Sequence, residues 1–257
     1  MIYRELYLKT KNKEYFTYLL LELYDAHFYE FEDLLNKKVT YKFQRKFERL
    51  EKGIPPQYIL KYAYFYGNKF YVNNRVLIPR FSTESLVEKV LEYLNDNDYL
   101  LELGVGSGAS VISLALKKSE VNYFGSDISE KALKVAKRNS KLFKTSITFF
   151  QSDWFENIPN LKFNIIFANP PYVLKEEPLD NYVLKEPHLA LFTDNLFSNY
   201  HKIIKESKNW LTKYGKLILE INPLGKEKIM EYGKKYFLNF ELFKDLDGKE
   251  RIVIFYD

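Results

Sequence analysis

Short apolar runs alternate with amphipathic segments after residue 98, and this alternation limits the possible folds more than any other feature of the chain. The apolar runs are 99–103, 121–125, 147–150, 163–168 and 216–221, and helical periodicity covers 109–118, 129–143, 195–213 and 225–236. Strands that alternate with helices of this length predict an α/β fold, in which a mostly parallel sheet has helices on both faces. Two final runs, 240–244 and 251–256, flank Asp247-Gly248, which predicts a C-terminal antiparallel hairpin.

The first third of the chain has a different pattern. Residues 1–62 have helical periodicity, interrupted at Gly53-Ile54-Pro55-Pro56 because glycine caps a helix and proline cannot continue one. Residues 63–78 alternate and contain two turn dipeptides, which predicts a β-hairpin, and residues 82–94 again have a helical pattern. We therefore predict a helical domain over 1–62, a β-hairpin linker over 63–80 and an α/β domain over 81–257.

Composition excludes several classes of site. The chain has no cysteine and only three widely separated histidines, so we expect no disulfide, no thiolate and no metal site. The net charge of +5 is too small and too diffuse to indicate direct nucleic-acid binding. The N-terminus is polar and no apolar run is long enough to cross a bilayer, so we expect a soluble, cytoplasmic protein without a membrane contact.

A glycine loop follows the first apolar run of the α/β region. Residues 101–109 read Leu-Glu-Leu-Gly-Val-Gly-Ser-Gly-Ala, at the place where an α/β sheet binds a nucleotide-like ligand. The loop also satisfies the dinucleotide fingerprint, so by itself it does not separate an NAD site from an S-adenosylmethionine site. Glu102 favours the second, because a carboxylate just before the loop can face a ligand's ammonium group.

Two further acidic positions follow later strands. Asp127 ends the second run, where a carboxylate can accept hydrogen bonds from both ribose hydroxyls of a bound nucleoside. Asp153-Trp154 follows the third run, so Asp153 could accept from an adenine amino group while Trp154 supplies an apolar wall. A helix-terminal charge, a loop acid and a core aromatic are the purely structural alternatives.

The most specific motif is Asn169-Pro170-Pro171-Tyr172, directly after the fourth run. Pro170 forces Asn169 into an extended conformation, and the two prolines remove two backbone donors. The Asn169 side-chain oxygen and the Pro170 carbonyl remain as acceptors, and a planar NH₂ group requires one acceptor for each hydrogen. Tyr172 adds an aromatic face. A rigid turn is the structural alternative, but an NAD enzyme has no use for this tetrapeptide.

These motifs together resemble those of the class I S-adenosylmethionine-dependent methyltransferases, and more narrowly of the HemK/PrmC family, which methylates the glutamine of the Gly-Gly-Gln motif in peptide chain release factors. The resemblance covers residues 53–257. It includes residues 53–59, 76–80, 152–155, 185–191 and 219–221 as well as the glycine loop and the tetrapeptide at 169–172.

The resemblance implies a Rossmann-like methyltransferase domain, S-adenosyl-L-methionine (AdoMet) as the cofactor and a release factor as the protein partner. We also expect the protein to be a monomer. The implied cofactor-binding residues are Glu102, Gly104, Val105, Gly106, Ser107, Gly108, Asp127, Ile128, Asp153, Trp154 and Asn169. The implied catalytic and substrate-binding residues are Asn169, Pro170, Pro171 and Tyr172. The helical region at 1–62 is expected to recognise the protein substrate.

The chain departs from the family pattern at three places: Phe81 replaces a proline, Asn222 replaces a glycine, and Thr193-Asp194-Asn195 lacks the usual glycines. Two other substrates stay open from the motifs. A related enzyme methylates a glutamine of a ribosomal protein, and exocyclic-amino nucleic-acid methyltransferases use the same tetrapeptide on a flipped base. Thr83-Glu84 favours the release-factor branch.

Overall fold

The computed structural model describes residues 1–257, which form two compact units. The first unit comprises residues 1–62 together with 179–185, and the second comprises residues 63–178 together with 186–257. The chain therefore returns to the first unit shortly after the tetrapeptide at 169–172, and the β-hairpin belongs almost entirely to the second unit.

The first unit is helical. Its helices are α1 Tyr3–Lys9, α2 Lys13–Tyr24, α3 Phe31–Leu35, α4 Tyr41–Glu51 and α5 Pro56–Leu60. The Asn12 and Thr40 side chains accept hydrogen bonds from the first turns of α2 and α4, which satisfies donors that a helix start leaves free. Its core is rich in aromatic side chains, and the Phe43 ring lies 4.7 Å from the Tyr3 ring and 5.2 Å from the Phe16 ring, centroid to centroid.

The hairpin is shorter than its sequence pattern predicts. Strands β1 Tyr62–Phe65 and β2 Asn68–Tyr71 form a two-stranded sheet, and residues 72–78 are irregular. The Asn73 side-chain oxygen accepts a hydrogen bond from the Arg75 N–H at 2.9 Å, so asparagine makes a local turn of its own in place of a longer strand.

A seven-stranded sheet forms the centre of the second unit. Its strands are β3 Tyr99–Leu103, β4 Asn122–Asp127, β5 Ile147–Gln151, β6 Phe163–Ala168, β9 Leu211–Glu220, β10 Asn239–Lys244 and β11 Glu250–Tyr256. Their spatial order is β10-β11-β9-β6-β3-β4-β5. The strands from β9 to β5 are parallel, and β11 pairs antiparallel with both β9 and β10. The predicted α/β fold with a C-terminal antiparallel hairpin is therefore confirmed.

Helices cover both faces of this sheet. They are α6 Glu84–Tyr93, α7 Ala109–Lys117, α8 Glu130–Phe143, α10 Ser198–Ser207 and α11 Lys226–Gly233. The short helix α9 His188–Leu191 precedes β8 Phe192–Thr193, which forms a small separate pair with β7 Val173–Leu174. Neighbouring strand residues point to opposite faces, so Ile165 packs in the cluster with α6, α7 and α8 while Ile166 packs in the cluster with α10 and α11.

The predicted helix over 195–213 is too long. Helix α10 ends at Ser207 and β9 already begins at Leu211, because the start of β9 pairs with Phe163 at the beginning of β6. A long-range strand pairing thus overrides the local apolar spacing. None of the helices has the length and apolar character that a bilayer-spanning segment needs.

Candidate functional site

Four of the predicted site segments meet at the carboxyl ends of parallel strands. The glycine loop at 104–108 follows β3, Asp127 ends β4, Asp153 and Trp154 follow β5, and the tetrapeptide at 169–172 follows β6. Because β3, β4, β5 and β6 are parallel neighbours in the sheet, their carboxyl ends lie along one edge. This is the edge at which open α/β sheets bind ligands.

The glycine loop has a backbone that only glycine adopts easily. Gly104, Gly106 and Gly108 have φ angles of +73°, +54° and +78°. The backbone N–H groups of Gly104 and Val105 both donate to the Ser126 carbonyl of β4, at 2.8 and 2.9 Å. A Cβ atom added at Gly104 or Gly106 would meet no protein atom within 4 Å, so the loop faces open space that a ligand can occupy.

Asp127 is bound to the loop. Its Oδ2 accepts from the Gly106 N–H at 2.9 Å and its Oδ1 accepts from the Ser129 N–H at 2.8 Å. Burial raises the pKa of this carboxyl, and these two N–H donors lower it. A carboxylate has about four acceptor positions, so two remain for the hydroxyls of a ribose. The adjacent Ile128 side chain is 46% exposed, which leaves an apolar surface beside them.

Glu102 has a structural partner that the sequence did not indicate. Its side chain is buried, and Oε2 accepts from the Val111 N–H in the first turn of α7 at 3.0 Å. Burial raises the pKa of Glu102 well above its usual range, and hydrogen bonds from Val111 and Ser110 lower it. The carboxyl therefore connects β3 to the start of α7, and contact with a ligand's ammonium group stays a prediction.

The segment after β5 has a backbone conformation that is rare for a large side chain. Trp154 has a φ of +50°, and its ring packs partly against the core cluster on the α10 face. The Asp153 carboxylate lies 3.4 Å from the Lys202 ammonium group of α10. An adenine contact by Asp153 would therefore share this carboxylate with a lysine, and the assigned roles of both residues stay predictions.

The tetrapeptide after β6 leaves two acceptors without a protein partner. The Asn169 side-chain NH₂ donates to the Thr83 hydroxyl at 3.1 Å, which leaves its Oδ1 free. The Pro171 carbonyl accepts from the Asn199 side chain of α10 at 3.1 Å, whereas no protein donor reaches the Pro170 carbonyl. The free pair is thus Asn169 Oδ1 and the Pro170 carbonyl.

The Tyr172 hydroxyl lies near the charged side chains of Glu220 and Arg251. Burial raises the pKa of the Tyr172 hydroxyl, the nearby Glu220 carboxyl raises it further, and Arg251 lowers it through its charge and a hydrogen bond. The Arg251 Nε lies 2.7 Å from the fully buried Asp245 Oδ2. This arrangement brings positive charge from β11 next to the tetrapeptide.

Three polar residues outside the predicted site support it. Asn139 of α8 donates to the Ser107 carbonyl at 2.8 Å and also exchanges hydrogen bonds with the backbone of Tyr71 in β2, at 2.9 and 3.0 Å. It therefore joins the glycine loop to the hairpin. Thr83 directly precedes α6 and contacts Asn169, and Glu220 ends β9, one residue beyond the Leu219 that pairs with Ala168 of β6. Nothing in the local sequence separates Asn139 from the exposed polar residues of α8.

Comparison with known proteins identifies the family. A family model described as a methyltransferase domain matches residues 94–236. A release factor glutamine methyltransferase of Leptospira interrogans is 39% identical over 247 residues, which cover 91% of this chain and 86% of the relative. Those of Streptococcus pneumoniae and Buchnera aphidicola are 34% identical (97% of this chain, 94% of the relative) and 42% identical (79% and 75%).

Solved structures resemble the fold at lower sequence identity. A 16S rRNA methyltransferase of T. thermophilus, in complex with AdoMet and guanosine, superposes with a TM-score of 0.58 at 19% identity over 76% of this chain and 49% of that one. A methyltransferase from Pyrococcus furiosus gives 0.56 at 18% identity, over 83% of this chain and 98% of that one. These similarities support the methyltransferase fold, while the sequence relatives extend over nearly the whole chain. The chain belongs to the release factor glutamine methyltransferase family.

Proposed function

We propose that the protein transfers the methyl group of AdoMet to the side-chain amide nitrogen of the glutamine in the Gly-Gly-Gln motif of a peptide chain release factor. Membership of the release factor glutamine methyltransferase family supports the reaction and the substrate class. The methyltransferase domain over residues 94–236 supports AdoMet as the cofactor. The sulfonium of AdoMet supplies an activated methyl group whose loss leaves a neutral thioether.

The glycine loop and Asp127 fit this cofactor. The three glycines of the loop have positive φ angles, so the backbone turns sharply and no side chain occupies the turn. The space in front of Gly104 and Gly106 is open. Asp127 is already oriented by the Gly106 and Ser129 N–H groups, so its remaining acceptor positions are aligned before a ribose binds. A preoriented acceptor loses little entropy on binding, which favours affinity.

Two oxygens without a protein donor support the proposed binding of the substrate amide. Asn169 Oδ1 and the Pro170 carbonyl are adjacent, lie at the end of β6 and have no protein donor. A primary amide has two N–H groups in one plane, and each would donate to one of these oxygens. An NH₂ group held in this way keeps its nitrogen in one place and orientation, which is the main requirement of this reaction.

The chemistry follows from this positioning. The amide nitrogen is a weak nucleophile because its lone pair is delocalised into the carbonyl. A bond forms from this nitrogen to the methyl carbon while the bond from sulfur to that carbon breaks, and one proton then leaves the nitrogen. The nitrogen gains positive charge in the transition state, so the two oxygens that accept its hydrogens stabilise that charge. Tyr172 and its buried surroundings limit the access of water.

We further propose that the helical unit at 1–62 selects the protein substrate. It has a separate core and carries three strongly exposed aromatic side chains, Phe28, Tyr29 and Tyr41. None of the residues proposed for the chemistry lies in this unit.

The reaction is tested by incubating the protein with methyl-labelled AdoMet and a release factor, a ribosomal protein or RNA, and then locating the label by peptide mass spectrometry. Asn169→Ala should lower the single-turnover rate by ~10²-fold or more, because one preorganised acceptor is lost. Asn169→Asp should also be slow, since it cannot donate to Thr83. Asn164→Ala, near the opposite end of β6, is the matched control. Label found on RNA and never on a glutamine would refute the proposal.

A further inference from the structure

One buried carboxylate binds the short segment that carries Thr83. The Glu186 Oε1 accepts from the Arg80 guanidinium at 2.6 Å, and its Oε2 accepts from the Ile78 N–H at 2.8 Å. Burial raises the pKa of Glu186, and the Arg80 charge and these two donors lower it. Both carboxylate oxygens are thus bound to segment 78–83, which lies more than 100 residues earlier in the chain.

Segment 78–83 has little regular structure of its own. Residues 72–80 are irregular, and a single 3₁₀ turn follows at Phe81–Thr83. No strand ladder fixes such a segment, so its position depends on the side chains that bind it. The Thr83 N–H donates to the Arg80 carbonyl at 3.0 Å, which connects the turn directly to the residue that the carboxylate holds.

Thr83 in turn contacts the tetrapeptide. The Asn169 side-chain NH₂ donates to the Thr83 hydroxyl at 3.1 Å. A shift of Thr83 by about 1 Å would break this hydrogen bond, because such bonds weaken steeply beyond about 3.2 Å. Segment 78–83 therefore binds both ends of residues 169–186: Asn169 at the first end and Glu186 at the last.

Stability alone does not explain the ion pair. The Glu186 side chain is 2% exposed and the Arg80 side chain is 34% exposed. Removing such charges from water costs free energy, and neutral side chains of similar volume are often as stable or more stable. An ion pair with a second hydrogen bond does something that neutral side chains do not. It fixes two points of the segment, Ile78 and Arg80, against one planar group.

We propose that Glu186 and Arg80 are a positioning pair that fixes segment 78–83 and so places Thr83 where it holds the Asn169 amide for the methyl acceptor. The pair determines the place of Thr83 and not the direction of its hydroxyl hydrogen. Neither member of the pair touches the substrate or AdoMet. This inference rests on the proposed amide methylation and adds two residues to it.

A double variant separates positioning from stability. Glu186→Gln removes the charge and keeps an oxygen for the Ile78 N–H, but it leaves the Arg80 charge without its partner. Adding Arg80→Met removes that charge too, so no buried charge or backbone donor is left unpaired. We expect this double variant to unfold in urea at a midpoint close to that of wild type, because neutral replacements of a buried pair are tolerated.

The same double variant should bind AdoMet within ~3-fold of wild type and transfer the methyl group ~10-fold or more slowly in a single turnover, because a small misplacement is costly in a positioned reaction. A double variant with wild-type stability and wild-type rate would overturn the proposal, since the pair would then serve the fold alone. A double variant that no longer binds AdoMet would overturn it too.

Lys208 and Asp257 provide the matched control. The Asp257 carboxylate also binds a cation, Lys208, through one oxygen and a backbone N–H, that of Leu238, through the other. This pair lies at the end of β11, which is antiparallel to β9, so it is at the opposite edge of the sheet from the tetrapeptide. Asp257→Asn with Lys208→Met should leave the rate within ~3-fold of wild type. Equal losses in the two double variants would refute a specific role for Glu186.

Coupling to Asn169 tests the route. In the Asn169→Ala background the amide that Thr83 holds is absent. Glu186→Gln with Arg80→Met should then slow the reaction by less than ~3-fold, because residues of one network are not additive. The same ~10-fold loss in both backgrounds would contradict a route through Asn169.

A second readout does not depend on activity or on AdoMet. The side-chain NH₂ signals of Asn169 can be assigned in an NMR spectrum by their loss in Asn169→Ala. The double variant at Arg80 and Glu186 should shift these signals and the control should not; unshifted signals would refute the positioning role. If the wild-type protein methylates no glutamine, the proposed function fails, whereas an active wild type with an unaffected double variant refutes only the role of the pair.

Discussion

The buried Glu220 carboxyl should make the stability of the protein depend on pH in a way that one substitution removes. Burial raises the pKa of Glu220 from its ordinary value of 4.5 to about 7, the charge of Asp245 raises it too, and Thr83 and Arg251 lower it. Below pH 4.5 the carboxyl is protonated in both the folded and the unfolded chain. Between pH 4.5 and about 7 the unfolded chain releases this proton and the folded chain retains it, so stability falls as the pH rises.

The size of this loss follows from the two pKa values. A displacement from 4.5 to about 7 corresponds to about 3.4 kcal/mol at about 1.36 kcal/mol for each pH unit. Between pH 5 and pH 8.5 the share that is lost is about 2.5 kcal/mol, because part of the change has already occurred at pH 5. In Glu220→Gln this group cannot ionise, so relative to wild type the variant should gain about 2.5 kcal/mol over that interval.

The assay is urea unfolding of wild type and Glu220→Gln at pH 5 and at pH 8.5. Any constant cost of the new amide cancels when the two differences are compared, and so do the other buried carboxyls. Glu231→Gln, on the exposed side of α11, is the matched control and should give the same difference at both pH values. A Glu220→Gln difference that changes by less than ~0.5 kcal/mol between the two pH values would refute the reasoning about the buried carboxyl.

Three further predictions concern the loop and the helical unit. Gly125→Ala would bring a Cβ to 2.5 Å from Val105 in the glycine loop, so it should destabilise by about 1–3 kcal/mol and weaken AdoMet binding measured by calorimetry; unchanged binding would contradict this. Asn139→Leu removes three hydrogen bonds and should cost about 1–3 kcal/mol in urea unfolding; because one of these bonds holds the Ser107 carbonyl, AdoMet affinity should fall too, and unchanged affinity would contradict this. Tyr29→Ser should slow methylation of an intact release factor but not of a Gly-Gly-Gln peptide, with the equally exposed Tyr214→Ser as control; equal effects on both substrates would refute a docking role.

The central sheet was predictable because its signal is local and repeated. Each parallel strand is buried on both faces, so it is a continuous apolar run, and the helices between the strands keep a 3.6-residue period. The predicted bounds of an element are wrong where residues outside its local pattern decide where it begins or ends. Residues 208–213 follow an apolar helical spacing, but β9 begins at Leu211 because β6 is there to pair with it. The hairpin ends at Tyr71 because Asn73 forms its own turn.

The candidate site also has one part that the sequence predicted and another that it did not. The glycines at 104, 106 and 108 and the two prolines at 170 and 171 have backbone preferences that belong to the residues themselves, so the loop and the tetrapeptide were visible in the sequence. The assignments of individual atoms to AdoMet or to the acceptor amide are still predictions. Asn139 was not found, because one polar residue on a helix resembles many exposed ones until its partners are known.

The sequence alone determined the order of strands and helices, the sharp turn before α7 and the pair of acceptors left by Asn169-Pro170, since these depend on neighbouring residues and on φ angles. Only the tertiary structure decided which side chain holds the Asn169 amide by a hydrogen bond. Thr83 and Asn169 are 86 residues apart, since Thr83 directly precedes α6 and Asn169 directly follows β6. A hydrogen bond between such residues exists only once the sheet has formed, so no local pattern in the sequence records it.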